Sequence, residues 1–116
     1  MWIKLLYGVL LFIALHVMVW FSMNFQFVKA ELSSKSVAIA VALAIPTTLS
    51  GYYASRFTYE ALNESAWAVR FVGFGISYMV FPLLTWWLLK ESMFTPKTMI
   101  CIALSILILC IQIFWK

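Results

Sequence analysis

The sequence predicts an all-α membrane protein: four transmembrane helices in an antiparallel bundle. Three observations carry the prediction. First, 66% of the 116 residues are hydrophobic and only 10% are charged, where soluble domains are about a quarter charged. A chain this short, folded in water, leaves so much of its surface exposed that this apolar content would have nowhere to go. Second, the apolar residues come in four long runs, each close to the roughly 20 residues a helix needs to cross a ~30 Å hydrocarbon core. None has the short alternating pattern of a membrane-barrel strand. Third, the connections between the runs are short, so successive spans lie beside one another and form a single domain over residues 1–116.

The first span runs from about Trp2 to Phe27. Its single lysine followed by apolar residues resembles a secretory leader, but the run is far longer than a leader's apolar core and no small-x-small cleavage site follows, which predicts a retained helix. The second span, about Ser36 to Phe57, follows Ser33 and Ser34, both candidate N-caps. The third, about Glu64 to Leu89, follows Asn63 as a cap and places Glu64 in the first turn, where the helix dipole favours an anion. The fourth, about Pro96 to Trp115, opens on Thr95-Pro96, a cap followed by proline at the first helical position. Trp2, Trp20, Trp67, Trp86, Trp87 and Trp115 all fall near span ends, as an interfacial aromatic belt requires.

Charge excludes some functions. The net charge of +4 is scattered between apolar runs with no basic stripe, so nucleic acid is not a partner and membrane lipid is. Cys101 and Cys110 lie two and a half helical turns apart on opposite faces and do not bridge. No metal-ligand cluster, phosphate-cradling glycine loop or nucleophile beside the lone histidine is present, so neither a metal or other cofactor nor an enzyme is expected. The eight Lys and Arg divide evenly: Lys4, Arg56, Arg70 and Lys116 on the side of the termini, Lys29, Lys35, Lys90 and Lys97 on the other. Glu60 and Glu64 against Glu31 and Glu91 also tie. The positive-inside rule thus gives no direction, and insertion in both orientations, with an inverted copy as partner, is one reading. An accidental tie is the other.

The polar residues inside the spans are the candidate site. His16, Trp20 and Asn24 recur at i, i+4, i+8 on one face of the first helix. His16 is either a protonatable group in a substrate or proton path or a neutral imidazole bonded to a neighbouring helix. Pro46 and Gly51 in "IPTTLSGYY" allow a flexed or closely packed second helix, with Tyr52 beside them. Arg70, Gly73 and Ser77 share a face of the third helix. Arg70 is expected to pair with Glu60 or Glu64, to snorkel to the interface, or to hold an anionic substrate or headgroup. Gly73 and Gly75 make room for another helix or for bending.

The layout resembles the small multidrug resistance family of the drug/metabolite transporter superfamily. The likeness covers essentially the whole chain and is most specific in its second half. There, Gly73-Phe74-Gly75 matches a third-helix Gly-x-Gly pair, and "WWLLKESMFTPKTM" matches the loop before the fourth helix, with Glu91, Phe94, Thr95 and Pro96 in the corresponding places. The resemblance implies an inverted-topology homodimer in a bacterial-type inner or plasma membrane that works by alternating access. Two features depart from the family. The first helix has no membrane-embedded acid, and Phe71-Val72 stands where the family has Trp-Ser. Proton-coupled export of organic cations is therefore not expected. The expectation is a transporter or flippase for an amphipathic or anionic substrate, with Arg70, His16, Trp20, Asn24, Tyr52 and Ser77 in its cavity. The alternative is a non-transporting four-helix subunit packed against partner helices in a larger assembly.

Overall fold

The computed structural model describes residues 2–28 and 33–115, apart from the side chains of Ser33 and Ser34. The second helix begins at Ser33, ahead of the expected start near Ser36, so Ser33 and Ser34 are its first two residues and do not precede it as caps; Lys29, Glu31 and Lys116 lie outside what is described. Four helices carry the fold: α1 (Trp2–Asn24), α2 (Ser33–Ala61), α3 (Ala66–Leu84) and α4 (Pro96–Phe114). A 3₁₀ turn, Phe25–Phe27, extends α1, and a π turn, Thr85–Leu89, extends α3. All four helices are long and apolar enough to cross a membrane. The described chain contains no strand.

The outer surface is what a lipid solvent selects. The accessible area is 7859 Å², above the about 6,500 Å² that a compact water-soluble monomer of this mass presents. Exposed Val37, Val41, Ile45, Leu104 and Leu107 dominate the outward sides of α2 and α4. The ends of the helices follow the rule that every backbone group in hydrocarbon needs a partner. At the end of α1, Gln26 donates to the last-turn Met23 carbonyl (2.9 Å), while Ser22 and Asn24 bond back to the Met18 (2.8 Å) and Trp20 (3.3 Å) carbonyls of their own helix.

Two further boundaries differ from expectation. α2 continues to Ala61, past Phe57, and closes through Asn63 and Glu64, both in the left-handed region (φ 59° and 55°), with the Glu64 amide donating to the Tyr59 carbonyl at 2.9 Å. That six-to-one closure ends a helix; it does not start one. Asn63 is therefore the stop of α2. Ser65 caps α3 by accepting from the Ala68 amide (3.2 Å), and Glu64 lies outside the first turn. The cap at Thr95 is as expected, accepting from the Thr98 amide at 3.4 Å ahead of Pro96.

The helices pack in the order α2, α1, α3, α4, with little direct contact between α2 and α3. Small residues set the close approaches. A side chain on Gly8 would collide with the Thr58 hydroxyl and stand 3.1 Å from its backbone nitrogen, so α2 lies directly against α1. Gly75 plays the same part for α4, where an added Cβ would come within 2.7 Å of Leu109 and 3.2 Å of the Ser105 carbonyl. The buried core, including Phe12, Ala54, Val72, Ile76 and Val80, comes from α1, α2 and α3. From α4 only Ser105 is buried, and its hydroxyl bonds its own helix at the Cys101 carbonyl (2.9 Å).

Candidate functional site

Because α2 and α3 both lean on α1 but hardly on each other, a cleft opens between them with α1 as its floor. Its inner part, about 370 Å³, is lined by Phe12, Leu15 and His16 from α1, Gly51 and Ser55 from α2, and Val69, Arg70, Gly73 and Phe74 from α3, with Ala66 at the start of α3. The outer part, about 620 Å³, continues along α2 past Thr48, Tyr52, Arg56 and Tyr59, sharing Gly51, Ser55, Ala66 and Val69 with the first. Each part is the size of a small-ligand site.

Arg70 lies four residues into α3, about 6 Å along its axis, and is exposed on the cleft. Its guanidinium sits 4.4 Å from the centre of the Phe74 ring one turn on, a cation–π contact that holds it at the wall of the cleft. The expected pairing with Glu60 is not what forms. Glu60 is engaged by Lys4 (3.2 Å) across from α1 and by Arg56 (3.5 Å) on its own helix. The turn through Asn63 and Glu64 sets Glu60 at the end of α2, where the start of α1 meets it. No described carboxylate pairs with Arg70.

His16 bonds a neighbouring helix, which is one of the two alternatives the sequence leaves open for it. Its Nε2 lies 2.9 Å from the Gly73 carbonyl, which only accepts, so the imidazole carries its proton on Nε2 and donates. The same ring lines the cleft and stacks against Phe12 (6.2 Å, 13°). Gly73 is needed for this geometry, since a Cβ there would stand 3.2 Å from the Phe12 ring. The His16–Gly73 bond lies about 4.5 Å deeper along α3 than Arg70, at 1.5 Å per residue.

Of the candidate residues, His16, Arg70, Gly51 and Gly73 come together in the inner cleft and Tyr52 lies in its outer half. The others are elsewhere. Trp20 is 1% exposed, and its indole N–H donates to the buried Thr85 hydroxyl at 3.0 Å, so it locks α1 to the π turn and does not belong to the interfacial belt. The other five tryptophans are exposed at helix ends, as a belt requires. Asn24 closes the end of α1. Ser77 continues the Arg70 face beyond the cleft, and Pro46 is exposed on a helix that runs on through it. Gly75 belongs to the α4 contact. Both cysteines are free and exposed. Sequence reasoning passed over Gly8, Ser55, Phe74 and Thr85. Ser55 carried a signal, at i+4 from Gly51 on the same face of the helix.

No group of His, Cys, Asp and Glu among the described residues is arranged to hold a metal ion. The chemistry the cleft does offer is a guanidinium, an imidazole and a hydroxyl on apolar walls. Comparison with protein-family models, with curated proteins and with solved structures finds no match to this chain.

Proposed function

We propose that the protein is a multi-pass membrane transporter or flippase of drug/metabolite-transporter type. It acts as a homodimer by alternating access on an amphipathic, anionic substrate whose charged group is held at Arg70 in the α2–α3 cleft. One observation carries the reading: an arginine inside a candidate membrane span, exposed on a cleft and without a carboxylate partner among the described residues. Ionisable side chains at such depth face protein or a polar cavity, and they mark substrate paths. The resemblance of Gly73-Phe74-Gly75 and of the segment before Pro96 to small multidrug resistance transporters supports the same class. The sparse packing of α2 against α3 supports a cleft that opens and closes.

The test is reconstitution in liposomes with a fluorescent anionic lipid and a dithionite quench from outside. The intact chain is expected to expose the inner-leaflet label, and Arg70→Ala to abolish this while leaving insertion and dimerisation intact. A chain that moves no anionic amphiphile and always purifies with a larger membrane partner would instead be a packing subunit. The thinly buried α2 and α4 favour that second reading: 6% of each most apolar window is covered, against 22% for α1 and 28% for α3.

A further inference from the structure

We propose that His16 makes occupation of the cleft proton-linked: an anion at Arg70 and a proton on His16 bind together, each strengthening the other. The inference rests on the anionic-substrate reading above and adds to it the regulation of the same site.

The argument starts from the hydrogen bond. With Nε2–H committed to the Gly73 carbonyl at 2.9 Å, the neutral ring keeps Nδ1 as a bare acceptor. Protonation adds an N–H at Nδ1 and leaves the Gly73 bond in place, so His16 gains charge without losing its seat. The groups around it are few. From α1 itself the neighbour is the Phe12 ring. From α2 the inner cleft receives Gly51 and Ser55, neither of which titrates. From α3 it receives Gly73 and Phe74 with one charge, Arg70. Arg56 and the Tyr52 and Tyr59 phenols line the outer part, and Arg56 is engaged by Glu60. Among the described lining residues there is no carboxylate.

This set has a definite sign. In the empty cleft an imidazolium would add a second cation beside Arg70, with no carboxylate among the described lining residues to offset it. A sulfate, phosphate or carboxylate in the cleft reverses this, because the anion attracts both cations and accepts from Nδ1–H. Coupling of this kind is reciprocal: whatever the anion does for the proton, the proton does for the anion. Histidine is the side chain whose ordinary titration range makes such coupling effective near neutral pH.

The experiment uses the full chain in nanodiscs of zwitterionic lipid, with decanesulfonate as probe because its charge is fixed from pH 5.5 to 8.5. Empty nanodiscs at each pH correct for partitioning into the lipid. The intact protein is expected to bind the probe roughly tenfold more tightly at pH 6 than at pH 8, within the span of ordinary coupling, and to take up protons on binding in weak buffer. His16→Gln keeps an N–H donor for the Gly73 carbonyl but does not titrate. It should bind at every pH with the weaker, high-pH affinity and take up no proton. Arg70→Gln should lose most binding at all pH values. If His16→Gln keeps the pH dependence of the parent, or if the parent binds through Arg70 with no pH dependence, the proton linkage is wrong and the anion site stands. If the parent binds no probe at any pH, or Arg70→Gln binds as well as the parent, the anion site itself fails and the linkage falls with it.

Discussion

The two sides of α3 that face the rest of the chain make a useful contrast. Toward α1 it is sealed: Val72 and Ile76 are buried, Phe12 fills the space over Gly73, and two side-chain hydrogen bonds, His16 to the Gly73 carbonyl and Trp20 to the Thr85 hydroxyl, cross the seam. Toward α2, a fraction of a turn away, Arg70 and Phe74 stand exposed on a gap. The difference lies in the residues. The α1–α3 seam pairs large rings with small residues, which lets backbones approach and lets buried polar atoms meet. The α2–α3 gap sets a guanidinium and an aromatic ring opposite Gly51 and Ser55, while α2 makes its close approach to α1 at Gly8. A tight seam next to a loose one is how a helical membrane protein keeps its shape and still offers a site.

Substitutions that break the tight seam should be the costliest. Trp20→Ala removes the largest fully buried side chain and strands the Thr85 hydroxyl. Unfolding titrations in mixed micelles should show a loss of about 3–5 kcal/mol. Gly8→Val, which drives a side chain into Thr58, and Gly75→Val, which drives one into Leu109 and the Ser105 carbonyl, should each cost about 1–3 kcal/mol by overpacking. Trp20→Phe keeps most of the volume and deletes only the hydrogen bond. Its cost in the same titration should be about 1 kcal/mol.

Substitutions in the loose region should separate function from stability. Gly51→Ala adds a methyl 3.7 Å from Leu15, an ordinary contact, and should leave the unfolding midpoint unchanged. A cost comparable with that of Gly8→Val would mean that the cleft is closed in the membrane. Smallest of all should be Glu60→Gln. Its partners Lys4 and Arg56 are exposed, and such pairs add little to stability. The midpoint should stay within experimental scatter at both low and high salt.

Much of the fold is legible along the chain, because a span is written in consecutive residues. The limits of α1 extended by its 3₁₀ turn, the Thr95-Pro96 start of α4 and the end at Leu89 of the π turn that extends α3 are all local matters of apolar length and capping. Asn63 marked the right place and the wrong event. Asn suits both an N-cap and a left-handed helix stop, and only the bond from the Glu64 amide to the Tyr59 carbonyl decides between them. Trp20 was misplaced for a related reason. Nearness to a span end is a one-dimensional fact, whereas its burial depends on Thr85, 65 residues away. The candidate site was half legible. His16, Arg70, Gly51, Gly73 and Tyr52 were visible as unusual residues in apolar runs, but Ser77, Asn24 and Pro46 looked just as unusual and do not line the cleft.

By itself, then, the sequence determined that the chain is helical and how many crossings it can make, since both follow from the length and apolarity of contiguous runs and from residues that start and stop helices next to them. Which helix stands beside which, that Glu60 goes to Lys4 and Arg56 and leaves Arg70 without a carboxylate, and that His16 and Arg70 share a cleft were decided by tertiary packing. The physical reason is that these depend on distances between residues far apart in the chain, set by where Gly8 and Gly75 allow helices to touch and where larger side chains hold them apart.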